Sequence, residues 1–523
     1  MYLYLLLVVL SHFVDLIQCK SLGSVLVDGL SFGPVEGERL LLQNDVVANV
    51  FKSIPYGKAM LRENRFRPTT FVDKWTRPRN VKSWPPACPQ TPLNYTTVIP
   101  YREDEDCLYL SVTASENCTS SSACPVLFWL HGGGFQSGSL RESVLLSQHL
   151  LSSGLVVVAA QYRLGSLGFF ANGITAGNAA LHDIMLAVQW VQMEVQNFGG
   201  NPDDITLGGL EAGAALAGVL SKMPKFEDVF KRLILIDAPS LNGCWFSRVN
   251  VEMNSKRLTE EDELQCDLPS ARDVSLCMQS KPLHMVVNST KVLNSKIGIC
   301  QCPFLFSPIP DDNLLSVSAA KAINRLPTLY VLTGHELDDF SLGLSKSISY
   351  DQFMHCLRTW LSDADYENAG FLRRLAQHHY IHSHGEKTNE TFIREQYYEL
   401  MHDVLIAVPI SLDIETRVFS FIVTLETDVN FSTLRLRNKK ASDEQFSLVI
   451  SMLETFIREG TVKYPEIEEK LKPLQDVMRD PHYRIFKDGT VGTDFGYQRY
   501  GLSFWRNLLK DLAKSRSPVR DEL

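Results

Sequence analysis

What most limits the folds open to this chain is a set of short, nearly uninterrupted apolar runs separated by helical patterns. "PVLFWL" (Pro125 to Leu130) and "LVVVAAQY" (Leu155 to Tyr162) have no polar face. Strands of that kind must be covered on both sides, as the strands of a parallel sheet are. "DITL" (Asp204 to Leu207) and "RLILID" (Arg232 to Asp237) read as two more strands. Between the runs, Asp183 to Phe198 spaces Met185, Val188, Val191 and Val195 at helical intervals, and the small residues Ala212 to Leu220 form a second helix. Strand alternating with helix at this spacing predicts the α/β class, with a mostly parallel central sheet and helices on both faces.

The second half is less regular. Asp443 to Glu459 is amphipathic, with Phe446, Val449, Ile450, Leu453 and Phe456 on one face. Ser442 or Asp443 can cap its start, and Gly460 can end it. The chain has 523 residues but no internal repeat and no Pro/Gly/Ser-rich linker, which predicts one domain over residues 20–510.

The first residues carry an apolar run, Tyr2 to Leu10, too short to span a bilayer but suited to a secretory signal. Residues 1–19 are therefore expected to be a signal peptide cleaved near Cys19, although a basic leading region is missing. No later stretch has the length and apolarity of a membrane span. Residues 511–523 form a polar tail ending Arg520-Asp521-Glu522-Leu523, a variant of the K-D-E-L address bound by a retrieval receptor. Both ends predict the lumen of the endoplasmic reticulum. Five sequons, at Asn94, Asn117, Asn288, Asn389 and Asn430, fit a glycoprotein of that compartment. Eleven cysteines become ten once Cys19 is removed, and an oxidising lumen makes them disulfide candidates. The net charge of −9 gives no reason to expect nucleic acid.

Two motifs bear on chemistry. "HGGGF", His131 to Phe135, follows a predicted strand and can aim backbone N–H groups at a developing oxyanion. "GGLEAGAA", Gly208 to Ala215, has the form of the sharp strand-to-helix turn that presents a catalytic serine, with a glutamate in the serine's place.

Around these lie "EDCLYLSV" (Glu105 to Val112), "YRLGSLGFF" (Tyr162 to Phe170), "GNAALHDIMLAVQWV" (Gly177 to Val191) and "FGGNPDDITLGG" (Phe198 to Gly209). In order and spacing they resemble the type-B carboxylesterase family, the cholinesterase-like branch of the α/β-hydrolases. The resemblance is dense from about Val25 to Trp245 and thinner beyond. It implies an α/β-hydrolase fold with Glu211 at the nucleophile position and Gly133, Gly134 and Ala212 at the oxyanion-hole positions. Glu336, in "PTLYVLTGHELDDF", falls at the position of the triad acid, with Leu337 replacing the usual following glycine. The triad histidine should lie between Thr424 and Ser442, where there is none. His378, His379, His382 and His384 read as surface polar residues. Where the family commonly has Q-S-G-S, this chain has Asp237-Ala238-Pro239-Ser240. The resemblance also implies disulfides Cys88–Cys107 and Cys266–Cys277, and ion pairs Arg65–Glu105 and Arg163–Asp183. Cys118, Cys124, Cys244, Cys300, Cys302 and Cys356 cannot be paired from sequence, although Cys118 with Cys124 would make a local bridge.

A glutamate attacking a carbonyl would form an anhydride, and its charge would repel the incipient oxyanion. Loss of nucleophile and base together removes about 10⁶-fold in rate from a triad hydrolase. The sequence thus predicts a catalytically inactive member, without metal or cofactor, that acts by binding. Its partner would be a protein of the secretory pathway that it helps fold, retain or assemble, or an apolar small molecule in the old acyl pocket. Buried, the Glu211 carboxylate would need backbone donors, and Gly133, Gly134 and Ala212 are the candidates. The alternative is a divergent carboxylic-ester hydrolase using Glu211 with an unidentified base.

Overall fold

Thirteen strands, among the described residues, form one sheet. The structure, a computed structural model, describes residues 20–42, 46–91, 102–239, 243–311, 313–314, 316, 322–333, 348–382, 387–425, 441–463, 473–474, 480–486, 490–495, 499–509 and 512. Residues 1–19, Asn94, Ser240, Glu336, Leu337, His384, Asn430 and Arg520 to Leu523 lie outside them.

In chain order the strands are β1 (Lys20–Val27), β2 (Val35–Leu41), β3 (Val47–Pro55), β4 (Arg79–Asn80), β5 (Tyr109–Ser115), β6 (Cys124–Leu130) and β7 (Val156–Ala160). There follow β8 (Gly200–Leu210), β9 (Phe230–Ile236), β10 (Thr328–Leu332), β11 (Ser420–Leu425), β12 (Pro481–Ile485) and β13 (Val491–Phe495). The spatial order is β1-β2-β3-β5-β7-β6-β8-β9-β10-β11-β12-β13, with the two-residue β4 pairing with β2. From β7 to β12 every neighbouring pair is parallel; the flanking pairs are antiparallel, apart from β2 with β4.

The apolar runs fall at the centre because both of their faces are used. Val126, Phe128 and Leu130 of β6 join the larger core, while Leu127 and Trp129 join the core on the opposite face. The larger core includes helices α1 (Ala179–Glu194) and α2 (Ala212–Ser221). Helix α3 (Ala441–Glu459) covers the other face, burying Val449, Ile450, Leu453 and Phe456 against a core that includes Val331, Phe421 and Val423. Gly460, at φ 69°, ends α3 and donates its N–H to the Phe456 carbonyl at 2.8 Å.

Several boundaries differ from the sequence expectation, three of them instructively. Helix α1 starts at Ala179, ahead of Asp183, and Val195–Phe198 is a tighter terminal turn. Strand β8 begins at Gly200 rather than Asp204: Asn201, Pro202 and Asp203 have turn chemistry, but a register shift on β6 accommodates them. Asp237 lies beyond β9, with φ 60°. Among the histidines, His378 is exposed as expected, but His379 is half-buried and stacks on Phe504, ring centroids 4.3 Å apart. That partner lies far along the chain, so nothing local announced it.

Five disulfides use all ten cysteines after Cys19: Cys88–Cys107, Cys118–Cys124, Cys244–Cys302, Cys266–Cys277 and Cys300–Cys356. Cys244–Cys302 and Cys300–Cys356 close loops of 58 and 56 residues, and chain entropy assigns such loops about 4 kcal/mol each.

Two ion pairs fix the framework. Arg65 Nε and Nη2 grip the Glu105 carboxylate at 2.7 and 2.9 Å, and Nη1 donates to the Lys281 carbonyl at 2.8 Å. Arg163 grips Asp183 at 2.6 and 2.7 Å, with its own backbone N–H adding a third bond at 3.1 Å. The Asp183 side chain is 0% exposed and that of Arg163 6%. Replacement Asp183→Asn strands the guanidinium and is expected to cost about 3–5 kcal/mol, read as a lower urea midpoint with an unchanged slope.

Candidate functional site

Strand β8 ends at Leu210 and α2 begins at Ala212, so Glu211 alone makes the turn. Its φ of 48° and ψ of −117° cost a side-chain-bearing residue on the order of 1–3 kcal/mol. Backbone pairing imposes that geometry: the Glu211 N–H donates to Ile236 O at 2.8 Å, and its carbonyl accepts from Ala215 N–H at 2.9 Å. Glycines on either side make the turn sterically feasible. A Cβ on Gly209 would lie 2.3 Å from the Gly213 carbonyl carbon, and one on Gly213 would lie 2.2 Å from Leu130 O.

The other wall of the site is the loop after β6. Gly133, Gly134 and Phe135 are consecutively left-handed, at φ 99°, 59° and 63°. The N–H groups of Gln136 and Ser137 both close back on Gly133 O at 3.0 Å. This turn leaves the Gly133 N–H facing the elbow, where it donates to Glu211 Oε2 at 3.2 Å. Glu211 is 3% exposed. The structure thus brings Glu211 and Gly133 together, the contact that burial of the carboxylate calls for. Gly134 follows Gly133, and Ala212 is the first residue of α2, whose N-terminal end favours negative charge.

His131, at the start of the same loop, is a buried residue whose individual surroundings the sequence did not reveal. Its Nδ1 lies 3.0 Å from Gly132 O, which makes it the protonated nitrogen, and its ring stacks on Tyr162 with centroids 4.5 Å apart. Tyr162 donates its hydroxyl to His131 O at 2.7 Å. Burial, followed by the charges of Glu142 and Glu211, holds the Tyr162 hydroxyl well above its ordinary range.

Two further features were not legible. Asp237 accepts from Thr333 N–H and Thr333 Oγ, both at 2.9 Å, and so ties the end of β9 to the end of β10. An acid in a position where the family commonly has glutamine was the available signal. Beside the loop, Phe135, Trp245 and Phe304 pack edge to face or tilted, with centroids 4.8 to 6.1 Å apart. Among the described residues, no group of three His, Cys, Asp or Glu side chains could hold a metal ion. None of their helices is long and apolar enough to cross a membrane.

A mostly parallel sheet wrapped by helices, with a one-residue elbow after β8 and a glycine loop after β6, is the α/β-hydrolase architecture. The chain belongs to the carboxylesterase family, whose model matches residues 25–420. It is 33% identical over 310 residues to gut esterase 1 of Caenorhabditis briggsae, covering 58% of this chain and 52% of the relative. It is 34% identical over 352 residues to liver carboxylesterase 1 of Mus musculus, covering 62% and 61%. The chain therefore spans only half to three-fifths of the length of these curated relatives.

Burial pushes His131 down to about 4, so the folded protein binds this proton more weakly than the unfolded chain does. Its stabilising contribution is complete above about pH 6.5 and is lost as pH falls toward 4, with about 2 kcal/mol gone by pH 5. Asp403, pushed up to about 6 by its own burial, works in the opposite sense. Urea unfolding of wild type and His131→Asn, which share Asp403, is expected to show the stability gap between them narrowing by that amount between pH 7 and pH 5.

Proposed function

We propose that this chain is a catalytically inactive carboxylesterase-like glycoprotein of the endoplasmic reticulum lumen that works by binding a secretory or membrane protein during its folding, retention or assembly. One observation carries the proposal: a buried glutamate carboxylate rests on the Gly133 N–H at 3.2 Å. A donor placed to stabilise an oxyanion already holds an anion, and that charge opposes a second one forming beside it. The absence of histidine from Thr424 to Ser442 adds to it, and the five sequons favour the glycoprotein reading. Asn117, Asn288 and Asn389 are exposed, as glycan acceptors must be. A protein partner is favoured over an apolar ligand because Phe135, Trp245 and Phe304 are 0–1% exposed and offer no free ring face to an acyl chain.

The names of the relatives favour the alternative, a carboxylic-ester hydrolase in which Glu211 attacks with the help of an unidentified base. Purified full-length protein incubated with short p-nitrophenyl esters and a fluorophosphonate serine-hydrolase reagent separates the two. Background turnover and no labelling are expected, and Glu211→Ser should remain weak for want of a base. Wild-type turnover that disappears in Glu211→Ala would establish the hydrolase instead.

A further inference from the structure

Of the five sequons, only Asn117-Cys118-Thr119 has a cysteine in the middle. In the folded chain that cysteine is bonded to Cys124, at a sequence separation of 6. The sequon backbone is then held from three sides. Thr119 N–H donates to Ser122 O at 3.3 Å, and Ser122 N–H donates back to Thr119 O at 3.0 Å. The Thr119 hydroxyl accepts from Ser122 N–H at 3.1 Å and lies 3.0 Å from Ser121 Oγ. Cys118 is 6% exposed, and its carbonyl lies so close to Gly199 that a Cβ there would come within 2.3 Å of it. Asn117 itself is exposed. The acceptor amide is therefore accessible, while the sequon backbone and the exposed Thr119 hydroxyl are tied into a local turn that a glycosyl transferase would have to undo before bending and binding them.

We infer that Asn117 is a conditional N-glycosylation site, modified only in chains whose Cys118–Cys124 bond has not yet closed, an inference that rests on the luminal assignment. Two reactions compete for the same few residues. In one, Asn117 Nδ2 bonds to the anomeric carbon of a lipid-pyrophosphate-linked oligosaccharide, the carbon–oxygen bond to pyrophosphate breaks, and an amide proton passes to a base. In the other, the Cys118 and Cys124 thiols form a disulfide while an oxidised dithiol oxidoreductase takes up their two electrons and two protons. Their timing overlaps. At ~5–20 residues per second Cys124 follows Asn117 within about a second or two, whereas Gly199 follows about 4–16 s later. Disulfide formation takes seconds or longer. Neither reaction has an interval to itself, and partial occupancy results.

The test compares wild type, Cys124→Ser and Cys118→Ser, each expressed full length in a eukaryotic secretory cell. The last variant keeps a sequon. Occupancy at Asn117, Asn288 and Asn389 is read by enzymatic deglycosylation in heavy-oxygen water and peptide mass spectrometry. Transfer precedes completion of the fold, so a variant that misfolds still reports. Both variants are expected to raise Asn117 occupancy about twofold or more, while Asn288 and Asn389, whose sequons lack cysteine, hold steady. Equal Asn117 occupancy in all three proteins overturns the inference. Absence of glycan at every site in all three removes the luminal assignment, and this inference with it.

Discussion

The centre of this molecule depends on one close approach, that of the first turn of α2 to the end of β6. Gly213 faces the Leu130 and His131 carbonyls so closely that any side chain there would collide with backbone. With the helix seated so near the sheet, a single residue must reverse the chain, and Glu211 is driven to positive φ. Its conformation is set by the glycines and by hydrogen bonds of its own backbone, to Ile236 and Ala215, rather than by its side chain. The turn is therefore indifferent to what residue 211 carries, and a carboxylate can occupy it without the surrounding architecture changing.

The far end of α2 is fixed by charge. Ser221 and Lys222 close the helix beside Asp413 and Arg417, all buried. Tyr330 donates to Asp413 at 2.5 Å, Arg417 reaches the same oxygen at 3.2 Å, and Lys222 lies 3.6 Å from the other. Burial lowers Lys222 to about 8, against the pull of Asp413. This cluster joins α2 to β10 through Tyr330 and to the approach to β11 through Arg417. Helix α2 is thus pinned by contact at one end and by a closed set of charges at the other, and neither end has room to shift.

The central sheet was readable because its signal is local. A run such as "PVLFWL" must be buried on both faces whatever surrounds it, and β6 divides its residues between the two cores. Helix α3 was readable for the same reason. The elbow and the loop after β6 could be read from glycine spacing, because backbone proximity demands glycine at fixed positions. What escaped was long-range. His379 meets Phe504, Asp237 meets Thr333 and Tyr330 meets Asp413 through tertiary folding, and no periodicity encodes those encounters. Four cysteines were equally opaque, since residue types alone do not say which sulfurs will meet, whereas Cys118 and Cys124 are close enough in sequence to suggest their local bridge.

The two long-loop disulfides share one short stretch of chain. Cys300 and Cys302, with only Gln301 between them, reach in different directions, one to Cys356 on the helix Tyr350–Trp360 and the other to Cys244 beside Trp245. Trp360 Nε1 holds the Cys300 carbonyl at 2.9 Å. Four thiols so arranged admit three pairings, of which the fold holds one. The paired bonds thus fasten two distant parts of the chain to the same three residues, which become a shared anchor for both.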